Sequence, residues 1–206
     1  MSLALVKELR EKTGAGLQDC QKALGEAGGD PEKALRLLRE RGLAKAAKKM
    51  TRAATDGAVG AYVHAGGKLG VLIEVNCETD FVAKTAEFQQ LVRDLAMQVA
   101  ASAPRYVGRE DVPAAELETE REIYRAQARQ QGKPDKVLER IVEGQVERFY
   151  KEACLLEQPF IKQPDRTVAE LVQEAIVRFG VNVTVRRFAR FALGEKESAA
   201  GGPSGA

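Results

Sequence analysis

The chain has 206 residues, of which 30% are charged and 44% hydrophobic, and its formal net charge is +2. That length suits one medium domain with a smaller one and is ample for a core, while so even a charge balance argues against a general nucleic-acid binder. No apolar run approaches the roughly 20 residues needed to span a bilayer, and Met1–Glu8 lacks the n-region, h-region and cleavage site of a signal peptide, so a cytoplasmic protein is expected.

Residues 3 to 42 read as three short helices. Leu5, Val6 and Leu9 mark the first, which stops at Thr13-Gly14-Ala15-Gly16. Leu17, Cys20, Leu24 and Ala27 mark the second, closed by Gly28-Gly29. The third opens on Asp30 as N-cap with Pro31 at the first helical position and Glu32 in the first turn, and is expected to end near Gly42. Residues 1–44 are therefore expected to form a small module, more suited to recognition than to catalysis. Lys45–Arg52 is basic, and 45–56 reads as a linker: a solvated hinge or the extended end of a helix.

Residues 57–193 are expected to form the core domain. Val59, Ala61 and Val63 alternate with Gly60, Tyr62 and His64. Gly66-Gly67 makes a turn, and Leu69, Val71, Ile73 and Val75 alternate on the return. The run Asn76-Cys77-Glu78-Thr79-Asp80-Phe81-Val82-Ala83 joins this hairpin to a helix carrying Phe88, Leu91, Val92, Leu95 and Val99. Asp80 is expected to cap that junction. Phe81 then stands near its tip, either folded back or pointing outward, and burial alone favours the first.

A helical hairpin follows at about 113–157, started by Pro113 and broken at Gly132-Lys133-Pro134. Its many Glu and Arg residues read as a solvated face with i,i+4 pairing. Thr167 and Glu170 form a capping box for a further helix ending at Gly180. A long strand runs from Val181 to Leu193, and the small-residue tail 194–206 is expected to be disordered. The fold class is α+β: a three-helix module, then a three-stranded antiparallel sheet with helices on one side and an inserted helical hairpin.

Catalytic chemistry finds little footing. Cys20, Cys77 and Cys154 are far apart, with neither disulfide nor metal-ligand spacing. The acids around Cys77 disfavour a thiolate, and His64 has no local partner for nucleophilic catalysis. A phosphate-binding glycine loop is absent, so neither nucleotide nor another cofactor is expected to bind. Arg186, Phe188 and Arg190 share one strand face, which leaves RNA binding as an alternative.

Residues 76–83 resemble the signature of the elongation factor Ts family. Leu9-Arg10-Glu11, Thr13–Gly16 and Asp19–Leu24 resemble the ubiquitin-associated-type domain that opens members of that family. The resemblance implies a guanine nucleotide exchange factor for the translational GTPase elongation factor Tu, and no enzyme. It implies that Asp80 and Phe81, helped by Thr79 and Val82, intrude on the partner's GTP-binding domain and disturb magnesium coordination. It also implies that Arg10, Leu17, Gln18 and Gln21 dock on that domain. Longer members carry two related core halves, whereas this chain has room for one. Both the resemblance and the apolar content of the last strand point to a homodimer through the C-terminal strand and sheet.

Overall fold

The structure, a computed structural model, describes residues 3–195, with the side chain of Leu43 excepted. The helices are α1 (Leu3–Thr13), α2 (Leu17–Glu26), α3 (Pro31–Met50), α4 (Asp80–Ala83), α5 (Ala86–Ser102), α6 (Ala114–Gln130), α7 (Asp135–Ala153) and α8 (Val168–Phe179). The strands are β1 (Asp56–Val63), β2 (Leu69–Cys77), β3 (Pro159–Phe160), β4 (Gln163–Thr167) and β5 (Val183–Ala192). Three of them form an antiparallel sheet in the order β1–β2–β5, and β3 pairs with β4 in a separate small ribbon. The chain divides into two units. One comprises the chain up to Ala58, Val75–Gln89 and Glu170–Val185; the other comprises Val59–Glu74, Gln90–Ala169 and the chain from Arg186 on.

In the first unit, α1–α3 enclose a small core of Val6, Leu9, Cys20, Ala23, Leu24, Ala34 and Leu38. Asp30 caps α3 as expected, its Oδ1 accepting from the N–H groups of Glu32 and Lys33 at 2.9 and 3.2 Å. The expected stop near Gly42 does not occur. The helix continues to Met50, so residues 45–50 of the expected linker are its last turns. Ala44–Lys49 are strong helix formers, Ala46 is buried, and Gly42 lets α8 approach closely. A Cβ added at Gly42 would lie 3.4 Å from Val177 Cγ2. Further along α8, Phe179 packs against Phe88, with ring centroids 6.0 Å apart.

In the second unit, α5 crosses β1 at Gly60. A Cβ there would come within 2.3 Å of Val92 Cγ1, so only glycine admits this approach. Val71 and Ile73 of β2 are buried, whereas Leu72 between them is exposed. With it Val59, Val63, Phe191 and Leu193 form an apolar outer face, crossed by the Arg187–Glu74 pair. The two-stranded ribbon, which short proline-containing segments did not announce, is tied to α5 by two buried amides. Gln98 donates to Gln158 Oε1 and to the Pro159 carbonyl, each at 3.2 Å, and accepts from the Ile161 N–H at 2.8 Å.

Helices α6 and α7 make the expected hairpin, but α7 ends at Ala153, and Leu155–Glu157 form a separate 3-10 turn. Most of its ion pairs join the two helices rather than residues four apart on one. Arg121 pairs with Glu143 and Arg125 with Glu139, while Arg148–Glu152 keeps the i,i+4 form. At the hairpin base, Arg109 grips Glu147 through two bonds of 2.8 and 2.9 Å and Glu157 through one of 2.7 Å. The Arg109 guanidinium lies 4.7 Å over the Tyr150 ring. Tyr106 donates to Glu116, and burial, reinforced by that carboxylate, pushes its phenol up to about 12. Leu193, the end of the expected strand, donates to the Lys68 carbonyl at 2.8 Å, and the expected tail begins in ordered form, since Glu195 pairs with Arg190. Residues 196–206 lie outside the described residues.

Candidate partner-binding tip

β2 leaves the first unit's core at Cys77, whose buried thiol donates to the Thr79 carbonyl at 3.1 Å. Burial raises this thiol's pKa, with Asp56 and Asp80 adding to the effect, so it is no poised nucleophile. The cap of the following turn is Thr79, not Asp80 as expected. Thr79 has extended backbone, and its hydroxyl accepts from the Val82 N–H at 3.4 Å. Asp80 is instead the first helical residue, where a carboxylate still meets unpaired N–H groups and the positive end of the turn. A threonine and an aspartate in succession both suit the cap, and composition alone does not choose between them.

Asp80 accepts from Lys84 Nζ at 2.6 Å. That hydrogen bond, more than the charge attraction beside it, holds the Asp80 carboxyl below its ordinary range. Lys84 is correspondingly raised. The turn closes at once. Thr85 donates its hydroxyl to the Val82 carbonyl at 2.8 Å and accepts from the Phe88 N–H at 3.2 Å, so it starts α5. Gln89 reaches back to the Ala83 carbonyl at 2.7 Å.

Between these fixed ends stands Phe81, 81% exposed. The reading from burial energy alone, which turned it inward, is corrected. Ala83, the small residue two positions on, is buried in its place as the turn's anchor. The turn is one helical turn long, so it directs only one side chain at the core while its neighbours face outward.

Thr79, Asp80, Phe81 and Val82 thus share a single surface turn, with Asp80 and Val82 partly covered. Leu17, Gln18 and Gln21 are all exposed on α2, and Arg10 is exposed in the last turn of α1. Asp19, on the same helix, is engaged by Lys45 of α3 at 2.9 Å. Among the described residues, no group of three or more His, Cys, Asp or Glu could hold a metal ion. A shallow depression of about 200 Å³ lies at the base of the helical hairpin, lined by Ala103, Arg105, Phe149, Glu152 and Ala153. It is small beside ordinary ligand pockets of about 300–1,000 Å³. Of the arginines that suggested RNA, Arg190 is occupied by Glu195 at 2.5 and 2.6 Å.

Sequence reasoning missed three residues around the turn: Lys84, Glu78 and Asn182. Lys84 was legible, since it stands four residues after Asp80 on a helix. Glu78 accepts from the backbone N–H of Asn182 at 2.6 Å, a contact 104 positions apart that no local pattern reveals.

The family model described as Elongation factor TS matches residues 35–195. The chain is 62% identical over 191 residues to the elongation factor Ts of Carboxydothermus hydrogenoformans, covering 93% of this chain and 88% of that protein. To that of Thermoanaerobacter pseudethanolicus it is 59% identical over 195 residues, covering 95% and 96%. To that of Geobacter sulfurreducens it is 60% identical over 195 residues, covering 95% and 90%.

Proposed function

Since the chain belongs to the elongation factor Ts family, we propose that it is a guanine nucleotide exchange factor. It binds the GTPase elongation factor Tu in the cytoplasm and promotes GDP release during translation elongation. The observation that carries the mechanism is Phe81, held 81% exposed on a turn fixed at both ends. An exposed Phe forgoes about 1.5–3 kcal/mol of burial, and a partner's surface can supply that burial when the two dock.

The work of exchange is binding, not bond chemistry. The factor must bind the nucleotide-free GTPase more tightly than the loaded one, and by linkage nucleotide then weakens the factor equally. Phe81 supplies the apolar wedge and Asp80 a fixed negative charge beside it. Thr79 and Val82 shape the turn, and together they disturb the partner's magnesium and nucleotide site. Lys84 holds the Asp80 carboxylate aimed before contact. The three-helix module, of ubiquitin-associated type, adds a second foothold through Arg10, Leu17, Gln18 and Gln21. Two footholds raise affinity while leaving the turn free to do the displacing.

The outer face of the sheet supports a homodimer. Val59, Val63, Leu72, Phe191 and Leu193 are each at least half exposed, and a second copy could cover them by stacking sheet on sheet. Light scattering at micromolar concentration tests this: a mass of one chain that does not rise with concentration removes the dimer.

The exchange reading is tested with elongation factor Tu loaded with fluorescent GDP. Substoichiometric factor should accelerate label release over the intrinsic rate, and unchanged release would overturn it. Calorimetry adds a check, because equal affinity for loaded and nucleotide-free GTPase contradicts exchange.

A further inference from the structure

Asn182 lies in the short link between α8 and β5 and is only 1% exposed. Its Nδ2 donates to two carbonyls at the end of α3, Met50 at 3.2 Å and Arg52 at 2.7 Å. Its backbone N–H donates to Glu78 Oε1 at 2.6 Å. The second oxygen of Glu78 lies 3.6 Å from the Arg52 guanidinium. Two positions before Glu78, Asn76 donates to the Ala54 carbonyl at 3.3 Å. A single buried residue therefore holds the chain leaving α3 with its side chain, and the residue just before Thr79 with its backbone.

The same amide carries an unmet cost. Among the described residues its Oδ1 is buried without a hydrogen-bond partner, and an unpaired buried acceptor is destabilising. A position selected for stability alone is better served by a group with no such orphan. What the site has instead is a pair of amide N–H donors that reach both carbonyls. Departures of this kind concentrate at functional places.

We propose that Asn182, acting through Glu78, is a positioning residue for nucleotide exchange. It fixes the Thr79–Phe81 turn against the end of α3, so that the wedge is aligned before the GTPase arrives. This rests on the exchange reading above. A turn released from Glu78 still docks, because the helical module and the exposed side chains remain. It displaces nucleotide less well, because the alignment must be found after docking.

The test is a titration of full-length factor against elongation factor Tu loaded with fluorescent GDP. It separates the maximal release rate from the half-saturating concentration. Glu78→Ala and Asn182→Ala are each expected to lower the maximal rate roughly tenfold, with half-saturation moving less than about twofold. Glu78→Gln, which keeps the acceptor for Asn182 N–H, recovers most of the rate. The double alanine variant is no slower than either single one, since both break one linkage. A wild-type maximal rate in Glu78→Ala overturns the proposal, as does a loss confined to half-saturation or a Glu78→Gln variant as slow as the alanine. Should Asn182→Ala fail to fold, the two partly exposed Glu78 variants decide alone. If the wild-type chain itself does not accelerate release, the exchange reading falls and this proposal with it. If the wild type is active and the Glu78 variants match it, only the positioning role is lost.

Discussion

At the base of the helical hairpin Arg109 holds two glutamates and covers a tyrosine ring, and Tyr106 beside it gives its hydroxyl to Glu116. At the tip, Asp80 is held by Lys84 of its own turn, while Phe81 is left in water. Both regions combine aromatics, acids and bases at helix ends. In the first, charges and rings satisfy one another within the chain, so the assembly serves the fold. In the second, the ends of the turn are tied by hydrogen bonds but its largest side chain is left uncovered. A large aromatic left uncovered on a tied turn is an exposed apolar feature that the fold itself does not use.

The comparison breaks most readily between two phenylalanines seven residues apart. Phe88 is fully buried against Phe179, and Phe88→Ala should cost about 3–5 kcal/mol in denaturant unfolding. Phe81→Ala should leave stability within about 0.5 kcal/mol yet remove most of the GDP-release activity. If Phe81→Ala melts far below the wild type, the residue is structural and the contrast fails.

At the hairpin base, Arg109→Ala strips partners from Glu147 and Glu157. The Arg109 side chain is 40% exposed, so solvent screening limits the loss to about 1 kcal/mol. Hydrogen exchange should quicken in α7 and around residues 155–157, with GDP release at saturating factor unchanged. Further out, Arg125→Ala removes an exposed cross-helix pair, and its loss should be lost within the error of an unfolding curve.

The pH dependence sharpens the same division. Glu157 is held below its ordinary range, first by its hydrogen bond from Arg109. Its contribution is present above the unfolded carboxylate pKa and disappears as pH falls through the lower folded value. Tyr106 and Tyr124 are both raised to about 12, chiefly by burial. Between the unfolded value near 10 and that folded value the unfolded chain has lost protons that the folded chain keeps, so stability falls with rising pH. Phenolate absorbance should therefore lag for these two tyrosines in the folded protein and merge with the rest in denaturant. Replacing Arg109 with Ala should bring acid unfolding to a higher pH, whereas Lys84→Ala should shift it least of all, since Asp80 and Lys84 are solvent-exposed partners.

Much of the framework was legible because it is local. The β1–β2 turn, the prolines that open α6 and α7, the Asp30 cap and the inward face of α5 each follow from spacing within a dozen residues. The end of α3 was misplaced because Gly42 reads as a stop by propensity, whereas its role is to admit Val177 from a helix more than a hundred positions away. The hairpin ion pairs were assigned to the wrong neighbours, since helical spacing reveals i,i+4 partners and not those across a turn. At the tip, the sequence shows the stretch itself, but two successive cap residues hide that Thr79 is the cap, and burial energy points Phe81 the wrong way. Glu78 and Asn182 stayed hidden because their link is long-range, made through a backbone N–H that carries no sequence signal.

The continuation of α3 to Met50 gives the first unit a gauge of fixed length and phase. Twenty residues at about 1.5 Å each make a rod of about 30 Å. Its first turns, Ala34 and Leu38, are set in the core of the helical module, and its last carbonyl is held by Asn182. Along such a rod distance and rotation are linked. Adding one residue after Ala44 lengthens it by about 1.5 Å and turns one end against the other by about 100°. Adding seven lengthens it by about 10 Å but returns the rotation to within about 20° of its start. Insertions of one and of seven residues therefore separate a partner that senses the spacing of the two footholds from one that senses their bearing.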